Sequence, residues 1–269
     1  FLMMNTVGME KTAKVMVTDL RVDGVQATSK KSVSKDSVEM IRWPSIELFH
    51  NLRRSLMVVE ATPKLTYRAK IKLDGTNGAV QIFPSGKVIA QSRSQIITPE
   101  KDNAGFAAWV DKNKDSFVAC DKDEHVTIFG EWCGKGIQRR ELGAIAPRYC
   151  WAIAPDEISR YVPEHADVYV LPFFGEEIVL DFADEQGLMG VIATLNQTIS
   201  EVETLDPWVK AAFGIEGIGE GLVLYPDPKN TVERRSYSDL LFKAKGLKHQ
   251  IVKTKKPVQV DPAKAESID

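Results

Sequence analysis

The stretch Ala69–Val80, AKIKLDGTNGAV, constrains the fold more than any other part of the chain. It alternates apolar and polar residues as far as Lys72, breaks at Asp74 and Gly75, and then resumes a strand-like pattern. An acid followed by glycine is typical of a tight turn, so the stretch predicts two strands with Lys72 beside the turn that joins them. A lysine held there on rigid backbone lies at the mouth of a pocket. That position suits a nucleophile, because a covalent catalyst must be fixed in line with the group that it attacks.

The composition is that of an ordinary soluble globular chain. The 269 residues, 43% apolar and 27% charged, are enough for one large domain or two of modest size. The net charge of -2 gives no sign of a strongly basic nucleic-acid-binding protein. Charge is nevertheless concentrated near the end, where six lysines fall within fourteen residues: Lys243, Lys245, Lys248, Lys253, Lys255 and Lys256. A solvated tail is an equally good reading for the last part of this run.

The cysteine and histidine positions argue against structural metal or disulfides. The three cysteines, Cys120, Cys133 and Cys150, include no CxxC pair, and the four histidines form no cluster with metal-ligand spacing. A reducing, intracellular compartment is therefore expected, namely the cytoplasm, with an organelle as the alternative. No apolar run approaches the ~20 residues of a membrane span, and we expect neither a membrane segment nor a signal peptide.

The chain divides into three parts by composition. Residues 1–40 are predicted to form an extension, with a weak hairpin and a Ser/Lys-rich linker, and residues 251–269 a basic, disordered tail. Between them, 41–250 carries the periodic patterns of a folded domain.

Helices are predicted from Ser45 (as N-cap), from Pro99, and over 185–201. Strands are predicted at 65–72, 78–83, 87–92, 126–130, 149–154, 167–173, 222–225 and 240–244, the first three as a meander with a tight turn at 84–86. Many short strands with a few helices between them indicate an α+β domain of antiparallel sheets flanked by helices.

Five short segments carry the candidate chemistry. They are KLDGTN at 72–77, SRS at 92–94, FGEWCG at 129–134, EGLV at 220–223 and FKAK at 242–245. In this order they resemble the motifs of the covalent nucleotidyltransferases, which comprise ATP-dependent DNA ligases, RNA ligases and mRNA capping enzymes, and YCWAI at 149–153 resembles an intervening motif. The resemblance covers about residues 43–246 and implies a nucleotidyltransferase (ligase adenylation) domain. Lys70 lacks the Asp-Gly spacing, and Glu216-Gly217 is not followed by a strand, so neither fits its motif as well as Lys72 or Glu220.

The residue types agree with that chemistry. Lys243 and Lys245 alternate on one predicted strand, so both can face the phosphate that Lys72 would attack, favouring its unprotonated amine and neutralising charge in the transition state. Asp74, Glu131 and Glu220 supply the hard oxygen ligands that Mg²⁺ or Mn²⁺ prefers.

By resemblance, further residues bind the nucleotide, with ATP as the substrate. Glu131 is implied either in metal binding or at the ribose hydroxyls, and Arg93 at the ribose or at a nucleic-acid phosphate; a structural ion pair is the alternative for Arg93. Trp151 offers a flat face for a purine, although a core position is as good a reading. Ile71, Asn77 and Glu220 complete the implied nucleotide-binding set.

Position 77 decides between the branches of this superfamily. DNA ligases and capping enzymes usually have arginine there, whereas the K-x-x-G-T-N pattern with Asn77 is similar to the RNA ligase 2-like family. After Lys245 only 24 residues remain of 269, too few for the OB-fold domain of DNA ligases and capping enzymes, so we expect either a minimal ligase or a chain from which partner domains have been removed or in which they lie upstream. The resemblance thus implies an ATP-dependent RNA ligase, expected to be a monomer, that joins RNA 3′-OH and 5′-phosphate ends through a lysyl-AMP intermediate. The alternatives are a DNA ligase, a capping guanylyltransferase, or a nucleotide- or RNA-binding module without catalysis.

Overall fold

Residues 4–7, 37–117, 125–134, 136, 137, 150–153 and 167–249 are described by a computed structural model of the chain. In these ranges the strands are β1 (Met4–Val7), β2 (Glu47–Leu48), β3 (Lys64–Lys72), β4 (Thr76–Ile82), β5 (Val88–Ser92), β6 (Ile96–Ile97), β7 (His125–Cys133), β8 (Cys150–Ile153), β9 (Val168–Val170), β10 (Phe174–Asp181), β11 (Gly221–Pro226) and β12 (Phe242–Lys245). The helices are α1 (Phe49–Leu56), α2 (Phe106–Asn113), α3 (Glu185–Thr204), α4 (Pro207–Phe213) and α5 (Tyr237–Leu240). The predicted N-terminal hairpin and the C-terminal tail lie outside the described residues.

The strands form two sheets. The first has the order β6-β5-β4-β7-β8-β9, with β1 also paired to β7, and the second has the order β10-β3-β11-β12-β2. Strand pairs are antiparallel except β8 with β9 and β2 with β12, which are parallel. The predicted α+β class built mainly on antiparallel sheets is therefore confirmed.

The predicted meander is correct only in its second half. β4 and β5 pair as a hairpin, and Gly86 donates its backbone N–H to Phe83 O at the tight turn. β3, however, lies in the second sheet, so the chain passes from one sheet to the other at Asp74 and Gly75. Alternation along a strand shows which residues share a face but not which strand pairs with it.

Each sheet has a core on its outer face. In the second sheet, Tyr67, Ile71 and Phe242 pack against α1, α3 and α4. In the first sheet, Val80 and Ile128 pack against α2 and its surroundings. Burial of these apolar faces, at about 25 cal/mol per Å² of surface removed from water, orients each sheet and leaves its other face turned inward.

The segment 37–46, which we call the strap, lies between the two sheets. Gln81 and Gln91 on the first sheet are fully buried, and their side-chain amides donate to the backbone oxygens of Glu39 and Ile41. Farther along the strap, the rings of Trp43 and Phe129 are 5.2 Å apart. The end of the strap reaches the second sheet, where Ile46 and Trp43 pack in one cluster with Val223, Tyr225 and Leu241. The strap therefore contacts the inner faces of both sheets.

Two helix starts differ from the sequence prediction. Ser45 is not an N-cap, because Glu47 and Leu48 pair with β12 and α1 begins only at Phe49. The helix predicted from Pro99 begins at Phe106 instead, and the Asp102 carboxylate accepts hydrogen bonds from its first-turn N–H groups. Pairing with β12 keeps Glu47 and Leu48 out of the first helix, and the Asp102 side chain satisfies N–H groups of the second helix at its observed start.

The predicted strand 240–244 is also shifted. Residues 237–240 form the short helix α5, whose Ser236 and Asp239 make reciprocal capping contacts, and β12 begins at Phe242. β10 and α4 were not predicted from the sequence. Asp206 caps α4 by accepting from the N–H groups of Trp208 and Val209.

Candidate active site

Four lysines lie on the inner face of the second sheet. Strand register places Lys72 and Lys245 on either side of Gly221, and Lys70 and Lys243 on either side of Val223 in the neighbouring row. Residues opposite one another in antiparallel strands share a face, so the four side chains form a two-by-two array. The predicted placement of Lys243 and Lys245 on one face is seen in this register.

Glu220 joins the two lysines of the first row. Its Oε2 lies 2.5 Å from Nζ of Lys72, and its Oε1 forms an ion pair with Nζ of Lys245. Burial by itself would raise the pKa of the Glu220 carboxyl, but the ammonium groups of Lys72 and Lys245 outweigh burial and lower it. The carboxylate is therefore held ionised between two cations.

Gly221 makes this arrangement possible. Its φ is +142°, and a Cβ at this position would lie 2.1 Å from the carbonyl oxygen of Ala244 on β12. Glycine has no Cβ, so β11 can approach β12 closely here.

Lys243 is positioned by a second set of charges. It is partly buried, and its pKa is lowered by burial and by the neighbouring positive charges of Lys72, Lys245 and Arg93. Arg93 is exposed, and its guanidinium donates to Oγ of Ser45 at 3.3 Å. Four positive side chains, Lys72, Lys243, Lys245 and Arg93, therefore lie near one another, and such a cluster favours the binding of a negatively charged ligand.

Glu131 faces this array from the first sheet. Asn77 and Glu131 lie opposite each other on β4 and β7, and Asn77 donates a long hydrogen bond, 3.5 Å, to Gly130 O. Burial raises the pKa of Glu131 to about 7, although nearby Lys72 acts in the opposite direction. Its carboxylate also accepts from the backbone N–H of Gly75, whose missing Cβ would lie 2.9 Å from Glu131 Cγ. Glycine at position 75 therefore lets the turn approach β7.

The other predicted site residues are placed less centrally. Asp74 is half-buried in the turn between the sheets. The Ile71 side chain lies in the outer core, so only its backbone can face a ligand on the inner side. Trp151 is on β8 opposite Trp132, and its side chain lies outside the described residues. The described part of the chain holds no group of three or more His, Cys, Asp or Glu side chains arranged to bind a metal.

Lys70 is the member of the array that the sequence analysis set aside. It is 2% exposed, and its ammonium lies 4.6 Å from the ring centroid of Phe173 and 4.9 Å from that of Tyr225. Arg68 lies 4.7 Å from the same Phe173 ring. The lysine alternation was visible in the sequence, but these aromatic neighbours come from β11 and from a segment about a hundred residues away.

This combination of lysines, one ionised buried carboxylate and an arginine favours a ligand that carries phosphate groups, on an α+β domain of two facing sheets. The chain belongs to the RNA ligase family, whose family model matches residues 66–245. No curated protein matches it.

The solved structures that match this chain include two of the Naegleria gruberi RNA ligase. A variant with AMP and Mn shares 13% identity at a TM-score of 0.39, and the match covers 76% of this chain and 56% of the variant. A variant with ATP and Mn shares 13% identity at a TM-score of 0.40, and the match covers 83% of this chain and 64% of the variant. A protein designated Pmar-Lig shares 15% identity at a TM-score of 0.38, and the match covers 86% of this chain and 50% of that protein. The chain thus spans about half to two thirds of the length of these proteins. Among the described helices, none is long and apolar enough to cross a membrane.

Proposed function

We propose that this chain is an ATP-dependent RNA ligase that joins RNA 3′-OH and 5′-phosphate ends, with Lys72 as the nucleophile. The observation that supports the proposal best is the contact of Lys72 and Lys245 with one buried carboxylate, Glu220. Membership of the RNA ligase family gives this cluster its reaction class. The sequence further predicts that the chain acts inside the cell and as a monomer.

In the first step, Lys72 loses its ammonium proton to solvent and attacks the α-phosphorus of ATP. A P–N bond forms as the P–O bond to pyrophosphate breaks, which leaves AMP on the lysine. Lys243 and Lys245 lie on the same face and would neutralise charge on the phosphoryl oxygens in the transition state. Glu220 would hold the lysines in register during this step.

Two further steps complete sealing. The RNA 5′-phosphate attacks the AMP phosphorus, the P–N bond breaks, and the lysine nitrogen takes a proton from solvent, which restores the amine. The 3′-OH then attacks the 5′-phosphorus, releases AMP and gives its proton to solvent. Asn77 lies on β4 of the first sheet, and Arg93 directly follows β5. Their side chains are proposed to contact the nucleotide or the RNA ends.

A divalent cation fits the donor set present. Mg²⁺ is usually held by one or two carboxylates together with substrate phosphates and water, rather than by a complete protein cage. The charge of Glu220 is near enough to affect the Glu131 pKa, and the N–H of Gly75, the residue after Asp74, donates to the Glu131 carboxylate. These carboxylates would hold Mg²⁺ or Mn²⁺, which when bound would offset charge on the phosphates and on departing pyrophosphate.

Label transfer to the protein tests the proposal. The chain is incubated with Mg²⁺ and with α-labelled ATP or GTP in parallel, denatured, and examined for covalent label. Lys72→Ala is the test variant. Lys64→Ala is its matched control, because Lys64 lies on the same strand and its side chain is 67% exposed.

An adduct from ATP that disappears only in Lys72→Ala is expected, followed by sealing of nicked RNA in preference to nicked DNA. An adduct from GTP alone would instead identify a capping guanylyltransferase, and preferred sealing of DNA a DNA ligase. ATP binding without an adduct would identify a nucleotide-binding module and reject the proposed chemistry.

A further inference from the structure

We propose that Glu203, in the last turn of α3, is a positioning residue that fixes Lys245 and Glu220 relative to each other. The inference rests on the proposed function, because it assigns Glu203 a role in adenylyl transfer through those two side chains. Glu203 is absent from every motif of the sequence analysis. It belongs to the helix that packs behind the second sheet, on the side away from the lysine array.

The Glu203 carboxylate is buried against the turn that follows β12. Its Oε1 accepts a hydrogen bond from the backbone N–H of Lys248 at 2.5 Å and lies 3.6 Å from Nδ1 of His249. Glu203 is 9% exposed and His249 2%. The turn Leu247–His249 begins two residues after Lys245, so Glu203 fixes the backbone where β12 ends.

Gly246 connects this contact to the active-site strand. A Cβ at Gly246 would lie 2.3 Å from Cδ of Glu203, so the carboxylate rests directly against the glycine backbone. The N–H of Gly246 donates to the carbonyl oxygen of Glu220 at 3.0 Å. A displacement of Gly246 would therefore move both Lys245, its neighbour in sequence, and Glu220, its hydrogen-bond partner.

The C-terminal end of α3 also contacts Gly219, the residue that precedes Glu220. Gly219 donates its N–H to the carbonyl oxygen of Val202 at 2.9 Å, and a Cβ at Gly219 would lie 2.6 Å from Cγ1 of Val202. Val202 and Glu203 thus contact the residues that flank Glu220 and Lys245. The helix end packs closely against Gly219, next to Glu220, and against Gly246, next to Lys245. These two contacts restrict movement of β11 relative to β12.

A buried carboxylate at position 203 costs free energy of folding. Removing a charge from water costs free energy that an apolar side chain would not cost, unless hydrogen bonds compensate it. What the carboxylate adds is direction, because a hydrogen bond to one N–H fixes the backbone more narrowly than apolar contact does. A role in geometry therefore explains the residue type better than a role in packing alone.

The test compares three variants in the full chain. Glu203→Ala removes the acceptor, Glu203→Gln keeps an acceptor oxygen for Lys248, and Glu201→Ala is the matched control on an exposed position of the same helix. Adenylation by labelled ATP is measured against ATP concentration to separate kcat from KM. Reaction of Lys245 with an amine-acylating reagent, followed by mass spectrometry, gives a second measurement that needs no activity.

For Glu203→Ala we expect kcat to fall about tenfold to a hundredfold with little change in KM, because loss of alignment affects the transition state most. Glu203→Gln should restore most of that loss, and Lys245 should acylate faster in Glu203→Ala than in the parent chain. Wild-type kcat and unchanged Lys245 labelling in folded Glu203→Ala would overturn the inference, as would equal losses in both Glu203 variants. A parent chain that forms no adduct would instead reject the proposed function, and Lys245 labelling would still decide the role of Glu203.

Discussion

Nζ of Lys72 lies 2.5 Å from Oε2 of Glu220, and the other oxygen of the same carboxylate binds Lys245. One side chain therefore holds the proposed nucleophile and one of the proposed phosphate-binding lysines. Since Glu220 is 4% exposed, water does not readily replace either contact.

Replacement of Glu220 should separate these two lysines. Glu220→Gln keeps the size of the side chain but removes the charge, and adenylation is expected to fall about a hundredfold because both amines lose their alignment. Glu216→Gln is the matched control, since Glu216 is an exposed residue in the other Glu-Gly pair and binds only Lys210 among the described contacts. Label-transfer rates measure both. Equal rates for Glu220→Gln and the parent would remove Glu220 from the reaction.

The pH dependence of stability should report Glu131. Burial raises the pKa of Glu131 from 4.5 to about 7. Between these values the folded chain binds more protons than the unfolded chain, so the free energy of unfolding decreases as pH rises. The contribution is up to about 3 kcal/mol, present below pH 4.5 and lost by about pH 8.

Glu131→Gln has no such titration. The free energy of unfolding, measured in urea, is expected to decrease less from pH 5 to pH 8 in Glu131→Gln than in the parent chain. The variant should therefore be the more stable of the two proteins at pH 8. The same decrease in both proteins would show that the Glu131 pKa is not raised.

Gly221→Ala should destabilise the second sheet. The φ of +142° disfavours any residue with a Cβ, and that atom would lie 2.1 Å from Ala244 O. A loss of about 2–4 kcal/mol in the free energy of unfolding is expected. Gly190→Ala is the control in α3, where a Cβ meets nothing within 4 Å, and it should be neutral or stabilising by up to about 1 kcal/mol. Similar losses in the two variants would contradict the close approach of β11 and β12.

The Phe173 ring should stabilise the buried cation Lys70. Phe173→Leu removes a ring that contacts both Lys70 and Arg68, and an unfolding free energy lower by about 1–2 kcal/mol is expected. Phe173→Tyr retains the ring and should keep most of that stability. Chemical denaturation of both variants checks this, and equal losses would assign the effect to packing.

The sequence predicted which segments carry the site better than how they meet. Lys72 was predicted from the Asp-Gly turn beside it, and Lys243 and Lys245 from alternation along one strand; both patterns depend only on neighbouring residues. That Glu220 would bind two of them could not be predicted, because the contact depends on the order β3-β11-β12. The pairing of strands far apart in sequence is decided by the whole core, and no local pattern encodes it.

What the sequence did not predict has the same origin. Ser45 has the residue type of an N-cap, but β12 offers Glu47 and Leu48 a partner, and strand pairing replaces the first helical turn. Lys70 and Lys72 are equivalent by alternation, yet one is 2% exposed and the other has an 18% exposed side chain. The difference comes from rings on other segments. The role proposed for Glu203 has no local signal, since an acidic residue near a helix end is usually solvated.

The strap has a consequence for how small a functional fragment of this chain can be. The part shared with the family begins at residue 66, yet the strap at 37–46 fills the space between the sheets and β2 extends the second of them. Leu52 and Leu56 of α1 are also in the outer core. A fragment trimmed to the family boundaries would keep Lys72, Glu220 and Lys245 but lose the strap, which contacts the inner faces of both sheets. The residues that pack between and behind the two sheets therefore extend beyond the region that the family model matches.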